Sequence, residues 1–122
     1  MIVAGMGFRA DATLNSLRSA LALACGTHRP DLIATAAGKE NHDALRALVA
    51  ELQVPLHAVP QATLAAQSTP TLSPAAQAAR NTGSVAEAAA LAAAGSGAHL
   101  LAPRHISTDR MATCAVAKGT LT

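Results

Sequence analysis

Residues 83–90 of this chain read Gly-Ser-Val-Ala-Glu-Ala-Ala-Ala, and this run constrains the fold more than any other part of the sequence. Gly83 lets the backbone turn, Ser84 is a favoured N-cap, and Glu87 stands three places further on, where it completes a capping box. An almost wholly small-residue helix follows and ends at Gly95. Such a helix packs closely, and the free amide groups at its start are suited to an anionic ligand. The alternative is a well-capped helix with a structural role only.

Short apolar runs alternate with amphipathic runs through the first half of the chain. The short runs are typical of buried strands, and the longer ones repeat leucine at helical spacing. This alternation favours parallel strands joined by right-handed crossovers. The last two strands are separated by too short a gap for a crossover, so we expect them to be antiparallel. The predicted strands are 2–6, 32–36, 56–59, 99–102 and 111–118, and the predicted helices run from Asp11 to Gly26, from Asn41 to Val54, over 61–65, from Ser73 to Arg80 and from Ser84.

The predicted fold class is α/β, a three-layer α/β/α sandwich with a mixed, mostly parallel sheet of about five strands. At 122 residues, the chain corresponds to a single domain, residues 1–122. Open sheets of this kind bind ligands outside the carboxyl ends of their parallel strands. The loops at 5–9 and 39–42 both follow predicted strands, so we expect a site where they meet.

Composition argues against nucleic acid or a membrane as the partner. The chain has one aromatic residue, Phe8, whereas proteins that bind single-stranded nucleic acid usually need stacking rings. A formal charge of +2 is small for a duplex-binding protein, but it suits a preference for carboxylated or phosphorylated small molecules. We find no signal peptide and no apolar run of membrane length, and we therefore expect a cytoplasmic protein.

Neither a metal nor a cofactor is predicted. The histidines include no pair at ligand spacing, and Cys25 and Cys114 form no metal or redox motif, so both cysteines are expected to be buried small hydrophobes. Gly5-x-Gly7-x-x-Ala10 fits a relaxed dinucleotide fingerprint. No acid follows the second strand at the distance that ribose recognition needs, so a nucleotide-binding module is only the third alternative.

Four segments of the chain occur in the order and at the spacings of a known family. They are Gly-x-Gly-x-Arg at 5–9, Lys39, the helix start at 82–90, and a closing strand pair at 101–104 and 113–117. With these segments, the chain resembles CobE and the C-terminal domain of CbiG, a family of cobalamin (vitamin B12) biosynthesis. The resemblance covers essentially the whole chain and implies the same α/β/α fold.

The resemblance also implies that the chain binds a corrin-ring intermediate. The acetate and propionate side chains of a corrin precursor need dispersed cations and free backbone N–H groups. Two positions depart from the family pattern, because His42 stands where a glutamate is common and Arg104 where a lysine is common. Each cation alone is typical of a solvated surface, but together these residues lie in predicted loops beside glycines. The predicted ligand-binding residues are Gly5, Gly7, Arg9, Lys39, Gly83, Ser84, Glu87 and Arg104.

Two functions from different classes follow from the resemblance. The leading interpretation is a non-catalytic accessory or carrier factor that holds a corrinoid and hands it to other enzymes of the pathway. Two-domain relatives are implicated in opening the ring lactone of a cobalt-precorrin and expelling acetaldehyde, so the alternative is a small hydrolase. Its catalytic candidates are Lys39, His42 and Glu87. The start of a helix stabilises the ionised form of Glu87, which suits capping or ligand orientation better than acid catalysis.

Overall fold

Five strands form one open sheet in the computed structural model, which describes residues 1–69, 71–74, 77 and 84–119. The strands are β1 (Ile2–Phe8), β2 (Leu32–Ala36), β3 (Leu56–Val59), β4 (His99–Ile106) and β5 (Ala112–Lys118). Their order across the sheet is β3-β2-β1-β5-β4. β1 pairs in parallel with β2, and β2 with β3, whereas β5 lies antiparallel between β1 and β4. Four of the five strands therefore point the same way, which confirms the mixed α/β sheet.

Helices cover both faces of this sheet. They are α1 (Leu14–Cys25), α2 (Asp43–Leu52), α3 (Gln61–Ala65) and α4 (Val85–Ala94). α1 and α2 pack on one face and share a core with Met6, whereas α3 and α4 pack on the other face and share a core with Val3. This alternation along β1 produces the three layers that the sequence predicts. Within the described ranges, no helix has both the length and the apolar character needed to cross a membrane.

Two helices begin later than the sequence pattern predicts. α1 is capped by Thr13 and not Asp11, since Thr13 Oγ1 accepts from the Ser16 N–H at 3.2 Å and Ser16 Oγ accepts from the Thr13 N–H at 3.1 Å. α2 is capped by His42 and not Asn41. The Nδ1 atom of the His42 ring accepts a hydrogen bond from the N–H two residues further on, at 3.2 Å. An imidazole nitrogen is thus the N-cap acceptor of α2, a role that is usually filled by a side-chain oxygen.

The helix predicted from Ser73 to Arg80 lies largely outside the described residues. Pro74 and Gln77 are described and are helical. The Gln77 N–H donates to the Ser73 carbonyl at 3.0 Å, as expected where Ser-Pro starts a helix. Gly83 also lies outside the described residues.

α4 lies directly against β1, and the contact centres on Gly5. A Cβ atom at Gly5 would lie 2.0 Å from the carbonyl oxygen of Ala86 and 2.6 Å from the backbone nitrogen of Ala90. The alanines of α4 that face the sheet are fully buried. Helix backbone therefore packs on strand backbone, and the glycine in β1 and the small residues of α4 are parts of one contact.

Asp109 ties the turn between β4 and β5 to α1. Its Oδ2 accepts from Ser16 Oγ at 2.6 Å, and its Oδ1 accepts from Ser107 Oγ at 2.6 Å and from the Met111 N–H at 3.1 Å. These hydrogen bonds, the one from Ser107 foremost, hold the pKa of Asp109 below its ordinary value. Since Ser16 also belongs to the α1 cap, the turn and the helix start are linked.

The two cysteines lie in the core, as predicted. Cys25 ends α1, Cys114 lies on β5, and both are buried and free. The neighbouring Cys25 thiol and burial both raise the pKa of the Cys114 thiol, whose Sγ donates to the Ala115 carbonyl at 3.8 Å. Cys114 is therefore a protonated, apolar part of the core.

Replacing Gly5 with alanine is expected to lower the free energy of unfolding by about 3 kcal/mol, because the new Cβ meets helix backbone that cannot move aside. The matched control is Gly7→Ala on the same strand, where the Cβ would lie 2.9 Å from the movable Thr113 hydroxyl. That variant should lose about 1 kcal/mol. Chemical denaturation measures both losses, and equal losses would contradict the backbone contact described here.

Asp109→Asn is expected to lower the melting temperature at neutral pH. Because the pKa of Asp109 is lower in the folded than in the unfolded chain, its carboxylate stabilises the fold above the unfolded-state pKa. That contribution is lost as the pH falls through the folded-state pKa. The difference between variant and wild type should therefore shrink below about pH 3.8, the ordinary pKa of an aspartate. Thermal melts down a pH series measure this, and a difference independent of pH would refute it.

Candidate functional site

One cleft lies at the edge of the sheet where β1 and β4 end and β5 begins. Its volume is about 580 Å³. α4 begins at the same edge, with Val85 beside Gly7. This is the carboxyl edge of the parallel strands, where the sequence predicts a site. An apolar part of the lining is formed by Phe8, Val85, Ile106 and Met111.

Three arginines line this cleft: Arg9, Arg104 and Arg110. Arg9 follows β1, where its N–H donates to the Met111 carbonyl at 2.9 Å, and Arg110 precedes β5. The three guanidinium groups make no hydrogen bond or ion pair with the residues that the structure describes. The described part of the lining contains no carboxylate. The cleft therefore carries positive charge that the described protein does not neutralise, which favours an anionic ligand.

The sequence predicts a loop position for Arg104, which is wrong, because Arg104 belongs to an irregular part of β4. Between Ala102 and His105, β4 has one residue more than the facing part of β5, which makes a β-bulge. Pro103 has no N–H to give to the strand ladder. The N–H of Arg104 donates instead to the Glu87 carboxylate, at 2.8 Å. The bulge places an arginine of an edge strand in the lining of the cleft.

Glu87 is fully buried, and its carboxylate joins three parts of the chain. Besides the Arg104 N–H, it accepts from the Thr71 N–H at 2.9 Å and the Thr71 hydroxyl at 2.8 Å. Ser84 caps α4 as predicted, and accepts from the Glu87 N–H at 3.2 Å. The Glu87 side chain does not complete the predicted capping box, because its oxygens are used by Thr71 and Arg104. The three hydrogen-bond donors, together with the positive end of the α4 dipole, offset the free-energy cost of burying this carboxylate.

The side chains of Lys39 and His42 both contact Phe8, a residue of the cleft lining. Lys39 Nζ donates to the Phe8 carbonyl at 3.3 Å and lies 5.2 Å from the centre of the Phe8 ring. The His42 ring meets the same ring edge-on, with 4.9 Å between centroids. Because His42 Nδ1 accepts the α2 capping bond, Nε2 carries the proton and donates to the Ala10 carbonyl at 2.6 Å. These contacts fix the segment that follows β1.

A second cleft, of about 670 Å³, adjoins the first across residues 9–10. His42 lines it together with Asn41 and Asp43. The described lining contains one carboxylate and no lysine or arginine. An anionic ligand is therefore favoured by the first cleft and not by this one.

The predicted ligand-binding residues have different positions in the fold. Those that line the cleft are Gly7, Arg9 and Arg104. Those buried against or at the start of α4 are Gly5, Ser84 and Glu87. Lys39 holds the neighbouring segment through Phe8. Arg110 was not predicted, since only the geometry of the turn brings it beside the other arginines. In the ranges that the structure describes, no group of three His, Cys, Asp or Glu side chains is placed to hold a metal ion.

Glu87→Gln is expected to lower the free energy of unfolding by about 2 kcal/mol, because an amide NH₂ would face N–H or O–H donors in a buried position. The matched control is Glu51→Gln, which removes one partner of the exposed Arg18–Glu51 ion pair. That change should cost much less, because an exposed ion pair contributes little to the free energy of unfolding. Chemical denaturation compares the two, and a Glu87→Gln loss as small as the control's would show that the carboxylate is not needed.

Solved proteins of cobalamin biosynthesis have the same fold. CobE, a protein from the cobalamin (vitamin B12) biosynthetic pathway, matches with a TM-score of 0.89 and 31% identity, over 100% of this chain and 95% of that chain. Cobalamin biosynthesis protein chiG from Agrobacterium tumefaciens str. C58 matches with a TM-score of 0.74 and 33% identity, over 98% and 99% of the two chains. A cobalamin biosynthesis protein G homologue from Sulfolobus solfataricus shares the fold, with a TM-score of 0.70, 23% identity and coverage of 95% of this chain and 36% of that one.

A comparison with curated protein sequences gave no match. The family model described as "Cobalamin synthesis G C-terminus" matches residues 2–117, which is nearly the whole chain. This match agrees with the likeness to CobE in both fold and sequence. The chain therefore belongs to the cobalamin synthesis G C-terminal family, a family of cobalamin biosynthesis proteins.

Proposed function

We propose that this protein binds a corrin-ring intermediate in the arginine-lined cleft, as an accessory or carrier factor that passes its ligand to other enzymes of cobalamin biosynthesis. One observation carries the proposal: Arg9, Arg104 and Arg110 line one cleft, and none has a side-chain partner among the described residues. Family membership gives the pathway. The chemistry of the cleft suggests the ligand.

The cleft suits both parts of a corrin precursor. Guanidinium groups bind carboxylates through paired hydrogen bonds, and the periphery of the macrocycle carries acetate and propionate groups. The side chains of Phe8, Val85, Ile106 and Met111 offer apolar contact to the ring itself. A volume of about 580 Å³ lies within the usual range for small-molecule sites, and it accommodates part of a macrocycle while the rest stays accessible to a partner.

The contacts of the catalytic candidates favour a carrier over a hydrolase. Lys39 is bound to the Phe8 carbonyl, and His42 is held by two hydrogen bonds as the cap of α2. Glu87 is buried and accepts from neutral donors only. A general acid or base must reach the reacting atoms of its substrate, and none of these three side chains lines the cleft.

Binding is tested by titrating the protein with corrin-ring compounds that carry free carboxylates, followed by their visible absorption. Saturable change is expected for the wild type. Arg104→Ala should weaken binding about tenfold, and Arg9→Ala somewhat less because Arg9 is exposed. Arg104→Ala keeps the backbone N–H that binds Glu87, so the fold should persist. Arg29→Ala, an equal charge change before β2 at the opposite edge, is the matched control and should bind like the wild type.

Turnover is tested separately with a lactone-containing precorrin. A carrier should release neither acetaldehyde nor a ring-opened product. Acetaldehyde formed by the pure protein, and lost in Lys39→Ala or Glu87→Gln, would contradict the carrier role and support the hydrolase. If titration of the wild type gives no saturable change in absorption, the proposal that it binds a corrin-ring compound is refuted.

A further inference from the structure

Arg110 has a backbone conformation that arginine seldom adopts. Its φ is +62°, in the left-handed region, and its N–H donates to the Ser107 carbonyl at 2.9 Å to close the turn between β4 and β5. The Ser107 N–H donates to the Ala112 carbonyl at 2.8 Å at the base of the same turn. In hairpin loops, glycine usually fills a left-handed position of this kind. An arginine there has a conformational cost that glycine would not have.

The turn itself does not require the arginine side chain. Its hydrogen bonds come from backbone groups and from the side chains of Ser107 and Asp109. The Arg110 side chain is exposed and has no hydrogen-bond or ion-pair partner in the described part of the chain. It lines the cleft together with Arg9 and Arg104. The arginine is therefore better explained by the cleft than by the turn.

We propose that Arg110 is a ligand-binding residue that binds a peripheral carboxylate of the corrinoid, so that the cleft selects corrinoids with free-acid side chains over corrinoids with amidated side chains. This inference rests on the proposed function and adds to it a residue and a basis for selection. It also gives a reason for the strained backbone, because only this position of the turn contributes a third guanidinium to the cleft.

The selection follows from the chemistry of the two ligand groups. A carboxylate accepts paired hydrogen bonds from a guanidinium and is attracted by its charge. A primary amide has one acceptor oxygen, and its NH₂ is a donor that finds no acceptor on an arginine. Since Arg9, Arg104 and Arg110 carry like charges in one lining, each ligand carboxylate also reduces the repulsion between them.

The test compares two corrinoids that share a macrocycle: cobyrinic acid, with free carboxylates, and cobinamide, with amides. The wild type is expected to bind cobyrinic acid at least about tenfold more tightly. Arg110→Gly suits the left-handed turn, so it should raise the melting temperature while it weakens cobyrinic acid binding about fivefold and leaves cobinamide binding unchanged. Arg110→Lys keeps the charge without the planar fork, and its affinity should lie between those of the wild type and the glycine variant.

Gln53 provides the matched control for the backbone effect. It is the other non-glycine residue with positive φ in the described ranges, at +56°, and it ends α2 outside the lining of the cleft. Gln53→Gly should raise the melting temperature, as Arg110→Gly does, and alter neither affinity. A purely structural role for Arg110 would make the two variants behave alike.

The outcomes separate this inference from the proposed function. A wild type that binds neither corrinoid refutes both. A wild type that binds cobyrinic acid, with unchanged affinity in Arg110→Gly, refutes the role of Arg110 and leaves the corrinoid site standing. Equal wild-type affinity for the acid and the amide refutes the selection. Weaker cobyrinic acid binding in a more stable Arg110→Gly protein supports the inference, because stability and affinity then change in opposite directions.

Discussion

The fold depends on the approach of α4 to β1 at Gly5, where no side chain separates the two backbones. This contact fixes the depth at which the small-residue helix lies on the sheet. It also fixes the distance between the first turn of α4 and the sheet. At that distance the Glu87 carboxylate accepts hydrogen bonds from Thr71 and from Arg104 of β4. A helix of larger residues would lie further from the sheet, and the buried carboxylate could not bridge the same groups.

The acids nearest the cleft are satisfied by neutral donors and not by the arginines. Glu87 accepts from two N–H groups and a hydroxyl, although it touches the backbone of Arg104. Asp109 accepts from two serine hydroxyls and the Met111 N–H, although it precedes Arg110 in the chain. Internal ion pairs at these places would have reduced the positive charge of the cleft. The hydrogen-bonding pattern instead leaves the guanidinium groups available to a ligand.

Hydrophobic periodicity and turn residues predict the fold well, because both are local signals. The strand 32–36 and the short helix 61–65 have the predicted bounds. The missed details depend on contacts between distant segments. His42 replaces Asn41 as a cap because its other nitrogen is held by the carbonyl of Ala10, and Arg110 enters the cleft because of a turn geometry that spacing alone does not specify. The cleft could thus be located from sequence at the carboxyl edge, but its third arginine could not.

The bulge at Pro103 has a consequence for the outer edge of the sheet as well as for the cleft. β4 is an edge strand, and an exposed edge can template the addition of a strand from another molecule. Pro103 offers no N–H at this edge, and the neighbouring N–H of Arg104 is turned inward to Glu87. An incoming strand would therefore find its ladder interrupted at the bulge. The distortion that brings a charged side chain to the cleft also makes this edge resistant to β-sheet aggregation.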